Sequence, residues 1–204
     1  HEPAQETRQH SALKAGNSET AMQLDVELPD WQFAAAGSPA LRAGSLITVI
    51  LDGGAVAFGA AGGLGQLQRA VQGQPRLVQL APGLFALAGV ITGITDYELD
   101  GDTLLEFEVD CGVPVRFTCL PDSADLPLNG LWVSGLVSLT LVMAESDTRL
   151  LGQPLTAIVQ EIQQCCLRST EESFGELRLL QELAPLPFSP DLVYLTLYLH
   201  GSNA

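Results

Sequence analysis

Hydrophobic and polar residues alternate with period two in several separate stretches of this chain, the spacing that turns one side of a β-strand toward a core and the other away from it. In MQLDVELPDW, Met22, Leu24, Val26 and Leu28 alternate with Gln23, Asp25 and Glu27 until Pro29 stops the run. SLITVILDGG, residues 45 to 54, is a β-branched strand closed by a turn signal, and AVAF after it reads as a returning hairpin partner. The glycine-rich GAAGGLGQLQRAVQGQP predicts a loop leading into a short helix with Leu64, Leu67 and Val71 on one side. It contains neither G-x-G-x-x-G nor the lysine-bearing phosphate loop. RLVQL, residues 76 to 80, reads as another strand.

The alternation strengthens from Leu84 onward. LFALAGVITGITDYEL predicts a long strand in which Gly89 and Gly93 allow sharp bending. DGD (100 to 102) turns the chain, TLLEFEVDC and PVRFTCLP form a hairpin, and LWVSGLVSLTLVM is a second long strand with Gly135 inside it. Residues 150 to 168 fit two readings: Leu155, Ile158, Ile162 and Cys166 have helical spacing, while PLTAIVQEI suits a strand. Ser169, Thr170, Glu171 and Glu172 make a capping box, and Phe174, Leu177, Leu180 and Leu183 follow at helical intervals, so a helix is predicted over 170 to 184. LVYLTLYLH is apolar at nearly every position, as in a strand covered on both faces.

LAGVITGI, EFEVDCGVPVRFTCLP and LPLNGLWVSGLVS together resemble the OB fold, the oligonucleotide- and oligosaccharide-binding barrel, over about residues 84 to 163. The resemblance rests on Leu87, Gly89 and Ile91 in a first strand, Asp110 and Gly112 at the turn between strands two and three, and Gly130, Val133, Gly135 and Val137 in a fourth. It implies a fifth strand at Leu155 to Val159, which favours the strand reading of 150 to 168. The expected fold is mainly β (α+β): an antiparallel OB-like β-barrel at 84–168, an N-terminal β extension at 22–83 packed on it, and a C-terminal helix plus strand at 169–204. The opening residues 1–21 have no apolar periodicity and are expected to be a disordered tail or an appended stretch, with Met22 a candidate start.

OB domains bind ligands across strands two and three, with aromatics for bases and basic side chains for phosphates. In this hairpin Leu105, Phe107, Val109, Val115, Phe117 and Cys119 share the core side by period two. The other side then carries Glu106, Glu108, Asp110, Arg116 and Thr118, with Arg116 across from Glu108 or Asp110. These five residues are the candidate binding surface, expected to be solvated and acidic.

Charge sharpens that picture. Among 204 residues, 24 acidic and 9 basic side chains leave a net charge of −15, which disfavours nucleic acid and suits a basic protein partner. The three histidines, His1, His10 and His200, lie near the ends, so the body lacks the parts of a nucleophilic triad or a histidine-ligated zinc site. No metal or cofactor is implied. Cys111, Cys119, Cys165 and Cys166 match no zinc spacing and are read as thiols of a reducing, intracellular compartment. The longest apolar run, residues 131 to 144, falls short of the ~20 residues of a membrane helix, so a soluble chain without a membrane partner is expected. Tyr194 and Tyr198 fall on one face of the last strand and form a candidate subunit contact in a homo-oligomer. These features point to a non-enzymatic binding module or accessory subunit that recognises another protein. The alternatives are an OB-type single-stranded nucleic-acid binder using its loops, and a carboxylate-dependent hydrolase built on Glu106 and Glu108.

Overall fold

The computed structural model describes residues 22–33, 40–59, 62–184 and 191–199; the tail expected at 1–21, and His200, lie outside them. The chain is mainly β, with a helical turn α1 at Asp30–Phe33. Six strands close a barrel: β3 (Leu46–Phe58), β4 (Gln66–Arg69), β9 (Trp132–Ser138), β6 (Leu84–Leu99), β7 (Asp102–Asp110) and β8 (Pro114–Cys119), with β8 returning to β3. Its wall is antiparallel except at β3, which runs parallel to both β4 and β8. The expectation of an all-antiparallel barrel is therefore corrected to mixed polarity, and two of the six strands come from the segment expected to be only an extension.

β3 owes this position to a turn signal that does not turn. Asp52 and Gly53 predict an end to the strand, yet it runs on to Phe58 through a bulge between Asp52 and Ala55, and AVAF continues it instead of folding back. The first half of β3 enters a second cycle. It pairs with β10 (Thr140–Met143) on one side and with β11 (Leu155–Cys165) on the other. β11 pairs with β14 (Leu192–Leu199), β14 with β1 (Met22–Leu28), and β1 meets β10 in parallel at Glu27 and Thr140. The strand reading of 150 to 168 thus holds for β11, although β11 lies in this second cycle and not in the six-stranded barrel. β5 (Arg76–Ala81) is an outrigger on β6, and β2 (Leu41–Arg42) pairs with β13 (Glu182–Leu183).

Inside the barrel Phe58 meets Phe107 edge-on at 5.8 Å, and Phe107 stacks on Phe117 at 5.5 Å. Leu51, Leu67, Phe85, Val109, Val115, Val133 and Val137 are fully buried around them, as period two requires. Gly89 and Gly135 sit where backbones approach closely, since a Cβ at either would lie 2.2 Å from a carbonyl oxygen, that of Asp110 or of Gln66, and the irregularity of β6 falls beside Gly93, where its register with β7 shifts. The short helix expected near Leu64 is the strand β4, in which Leu67 enters the core while Leu64 and Val71 stay exposed. Trp31, on the turn α1, is 59 % exposed.

The helix expected over 170 to 184 is absent. Residues 169 to 175 form turns, Gly175 takes a left-handed φ of 78°, and β12 (Leu177–Leu180) pairs with β11. Of the residues at helical spacing, Leu180 packs against the core and Leu183 is buried while Phe174 and Leu177 are exposed, as is Leu179 beside them, and the open edge of β11 supplies the ladder. All four cysteines are unpaired, and Cys119 stands across from Leu105. No helix among the described residues is long and apolar enough to cross a membrane.

Candidate functional site

The β7–β8 hairpin has the register expected for it, with Glu106 opposite Thr118, Glu108 opposite Arg116 and Asp110 opposite Pro114. Its polar side is not a solvated sheet face. β3 runs alongside β8, and the segment after β10, which opens with a 3-10 turn at Ala144–Ser146, folds over the strands. Glu106 is 1 % exposed, Arg116 0 % and Thr118 9 %, while Glu108 and Asp110 are half-buried. The expected open acidic surface is corrected to a covered ionic cluster.

Arg116 is its centre. Its Nε and Nη2 donate to Asp52 Oδ2 at 3.0 and 2.7 Å, and its Nη1 donates to Asp147 Oδ2 and, at 2.8 Å, to the Leu151 carbonyl. Asp52 Oδ1 accepts the Gly54 amide at 2.7 Å, so one carboxylate ties the bulge of β3 to the arginine. Arg149 reaches in from the covering segment, its Nη1 2.8 Å from Glu106 Oε1 and 3.5 Å from Asp52 Oδ2, and its own amide donates to Asp147 Oδ1. Further out, Glu108 accepts from Thr92 Oγ1 and from the Gln153 amide. Three carboxylates therefore surround two guanidiniums. Burial opposes the charge on Arg116, but Asp52 and Asp147 outweigh it and hold the guanidinium above its ordinary range.

Every charged group of this cluster except one oxygen has a partner: Glu106 Oε2 is buried without one. The arrangement clamps the 144–153 segment onto the barrel. Arg116 and Thr118 are not available as ligand contacts, and Glu106 reaches solvent only marginally, so the five residues expected to make one surface divide into three that are enclosed and two, Glu108 and Asp110, at its rim. The members that sequence reasoning missed are Asp52, Asp147 and Arg149. Asp52 had a signal, a lone carboxylate ending a β-branched run, but the same residue also reads as the start of a turn.

The outer face formed by β5, β6, β9 and β4 is the opposite in character. Ala86 and Ala88 occupy its centre, flanked by Val78 on β5 and by Leu136 and Ser134 on β9. Val78 is 47 % exposed, Leu80 55 %, Leu136 37 % and Leu64, bridged to Leu136, 59 %. Arg76, across from Ala88, stands at one corner, and Gln66 and Gln68 border the face on β4. Tyr194 and Tyr198 are half-buried on yet another face, where Tyr194 lies beside Gln163 of β11 and Glu27 of β1. No group of three or more potential metal ligands gathers among the described residues.

The architecture is thus a closed six-stranded β-barrel sharing a strand with a second ring, compatible with an OB-like barrel. Compared with protein-family models, with curated proteins and with solved structures, the chain matches none.

Proposed function

We propose that the protein is a non-enzymatic recognition module, an accessory subunit that binds another protein through the outer face of β5, β6, β9 and β4. The supporting observation is that this face is apolar, small-residued at its centre and open, on a chain whose net charge is −15. Contiguous exposed apolar surface is unusual on an acidic chain, and partner binding is its ordinary use. The net charge of the whole chain favours a basic partner, because complementary fields steer encounter, and that partner's contact with this face itself would be apolar. The β7–β8 surface that the sequence suggests gives way because its arginine and one glutamate are committed to holding the covering segment.

Co-purification from native extract followed by mass spectrometry, repeated with Leu136→Lys and Val78→Lys, tests this. The expected result is a stoichiometric protein partner retained by the wild type and lost by both variants. Recovery of nucleic acid alone, released by salt, would overturn the reading in favour of an OB-type nucleic-acid binder. Retention of the same protein by both variants would overturn the choice of face.

A further inference from the structure

β12 is a sheet edge. Among the described residues it pairs only with β11, and Leu177 and Leu179 are 51 % and 66 % exposed. Its main-chain groups are distributed in a way that limits what can add to it. The Cys166 amide donates to the Glu176 carbonyl, so by the alternation of an antiparallel ladder Arg178 and Leu180 likewise aim their main-chain groups at β11. Leu177 and Leu179 aim theirs at the open edge. An exposed edge with unpaired main-chain groups is a template for another strand.

We propose that the open edge of β12 pairs antiparallel with β12 of a second copy, merging two sheets across a twofold axis at Leu177. In such a pairing, outward-aimed residues must face outward-aimed residues, which leaves three symmetric registers. An axis at Arg178 sets the two Arg178 side chains against each other. An axis at Leu179 sets Glu176 against Glu182. An axis at Leu177 sets Glu176 of each copy against Arg178 of the other, twice, and lets the two Leu177 residues exchange both main-chain bonds. Opposite charges on facing strands stabilise and like charges destabilise, and the Glu176 to Arg178 contacts fall at the closely spaced, non-hydrogen-bonded positions where side chains meet best. A twofold contact of this type is isologous and closes on itself.

The same register extends the apolar side of the sheet. Leu179, Gln163 and Tyr194 form one row across β12, β11 and β14, and Leu177, Cys165 and Leu192 form the next. Pairing about Leu177 makes the Leu177, Cys165 and Leu192 rows of the two copies continuous and sets Leu179 of each copy across from Gly175 of the other, with Tyr194 on the third strand from the seam. This surface is separate from the face proposed for the other partner, and the two stand or fall independently.

The test is sedimentation equilibrium of the full chain, wild type, Glu176→Arg and Arg178→Glu, singly and mixed. The wild type is expected at twice the 21.6 kDa chain mass. Each single variant replaces both attractions by repulsions and should dissociate at least tenfold more readily, since each facing pair changes sign. An equimolar mixture of the two variants should regain the double mass, because the first variant then presents only cations at the seam and the second only carboxylates, and both facing pairs are attractive again. A monomeric wild type at millimolar concentration, variants that dimerise as well as the wild type, or a mixture that stays monomeric would each overturn the proposal. Recovery in the mixture also excludes misfolding as the cause of dissociation.

Discussion

The two outer faces of the six-stranded barrel belong to one continuous wall of paired strands, yet one is roofed and ionic and the other is open, with Arg76 at its corner. On the β7–β8 side, Arg116 is fully enclosed and three carboxylates and Arg149 are arranged around it. On the β5–β6–β9–β4 side, Val78 and Leu136 are exposed and Ala86 and Ala88 half-buried among the described residues. The difference shows that a charged row on a strand is not by itself a surface. Where neighbouring segments bring matched charge, the row becomes an internal fastening, and the plain side is left free for contacts.

The largest effect that distinguishes the two faces is expected at Arg116. Replacing it by Met takes the ion-pair partner from the enclosed Asp147, leaves Asp52 only Arg149 at 3.5 Å, and should lower stability by about 3–5 kcal/mol in urea unfolding. A cost under ~1 kcal/mol would show that the roof is held by other contacts. The inner side of the same hairpin carries a second large effect. Burial pushes the Cys111 thiol up from 9.0 to about 12, so the unfolded chain gives up this proton more readily than the folded one. Stability from this source is complete below pH 9 and falls as pH climbs toward 12, by about 3 kcal/mol at pH 11, because each pKa unit is worth about 1.4 kcal/mol. The stability of Cys111→Ala, measured against the wild type from pH 8 to 11, should lack that decline.

A smaller change follows from Arg149→Ala, which takes the partner from Glu106 Oε1 while Oε2 already has none. The expected cost is about 1–3 kcal/mol, with faster amide exchange in the 144–153 segment. Smallest is Leu136→Lys on the open face. It should change stability by no more than ~0.5 kcal/mol, because that side chain is exposed. If it cost as much as Arg149→Ala, the face would not be open.

Much of the barrel was legible in the sequence because period two is a local signal. The 105–119 hairpin and its register follow from neighbours in the chain, whereas 155–165 fits helix and strand alike by spacing, and it is the OB-fold resemblance that favours the strand that forms. What was illegible depended on distant segments. The Asp52 turn signal yielded to pairing with β8 and β10 on either side of β3, and the capping box at 169–172 yielded to the open edge of β11. The candidate site failed in the same way. Glu106, Arg116 and Thr118 do share one side of the hairpin, but what covers that side arrives from residues 147 to 151, 31 to 43 positions further along. Period two tells which way a side chain points, and only tertiary structure tells what it meets there.

β3 has a consequence for how the molecule comes apart. One half of this strand is a stave of the barrel, and the other is shared with β10 and β11, so each ring borrows the same piece of backbone. Removing β3 would breach both enclosures at once, and neither has an independent seam along which to open first. The chain should consequently behave on heating as a single melting unit, its halves coupled through one axle of polypeptide.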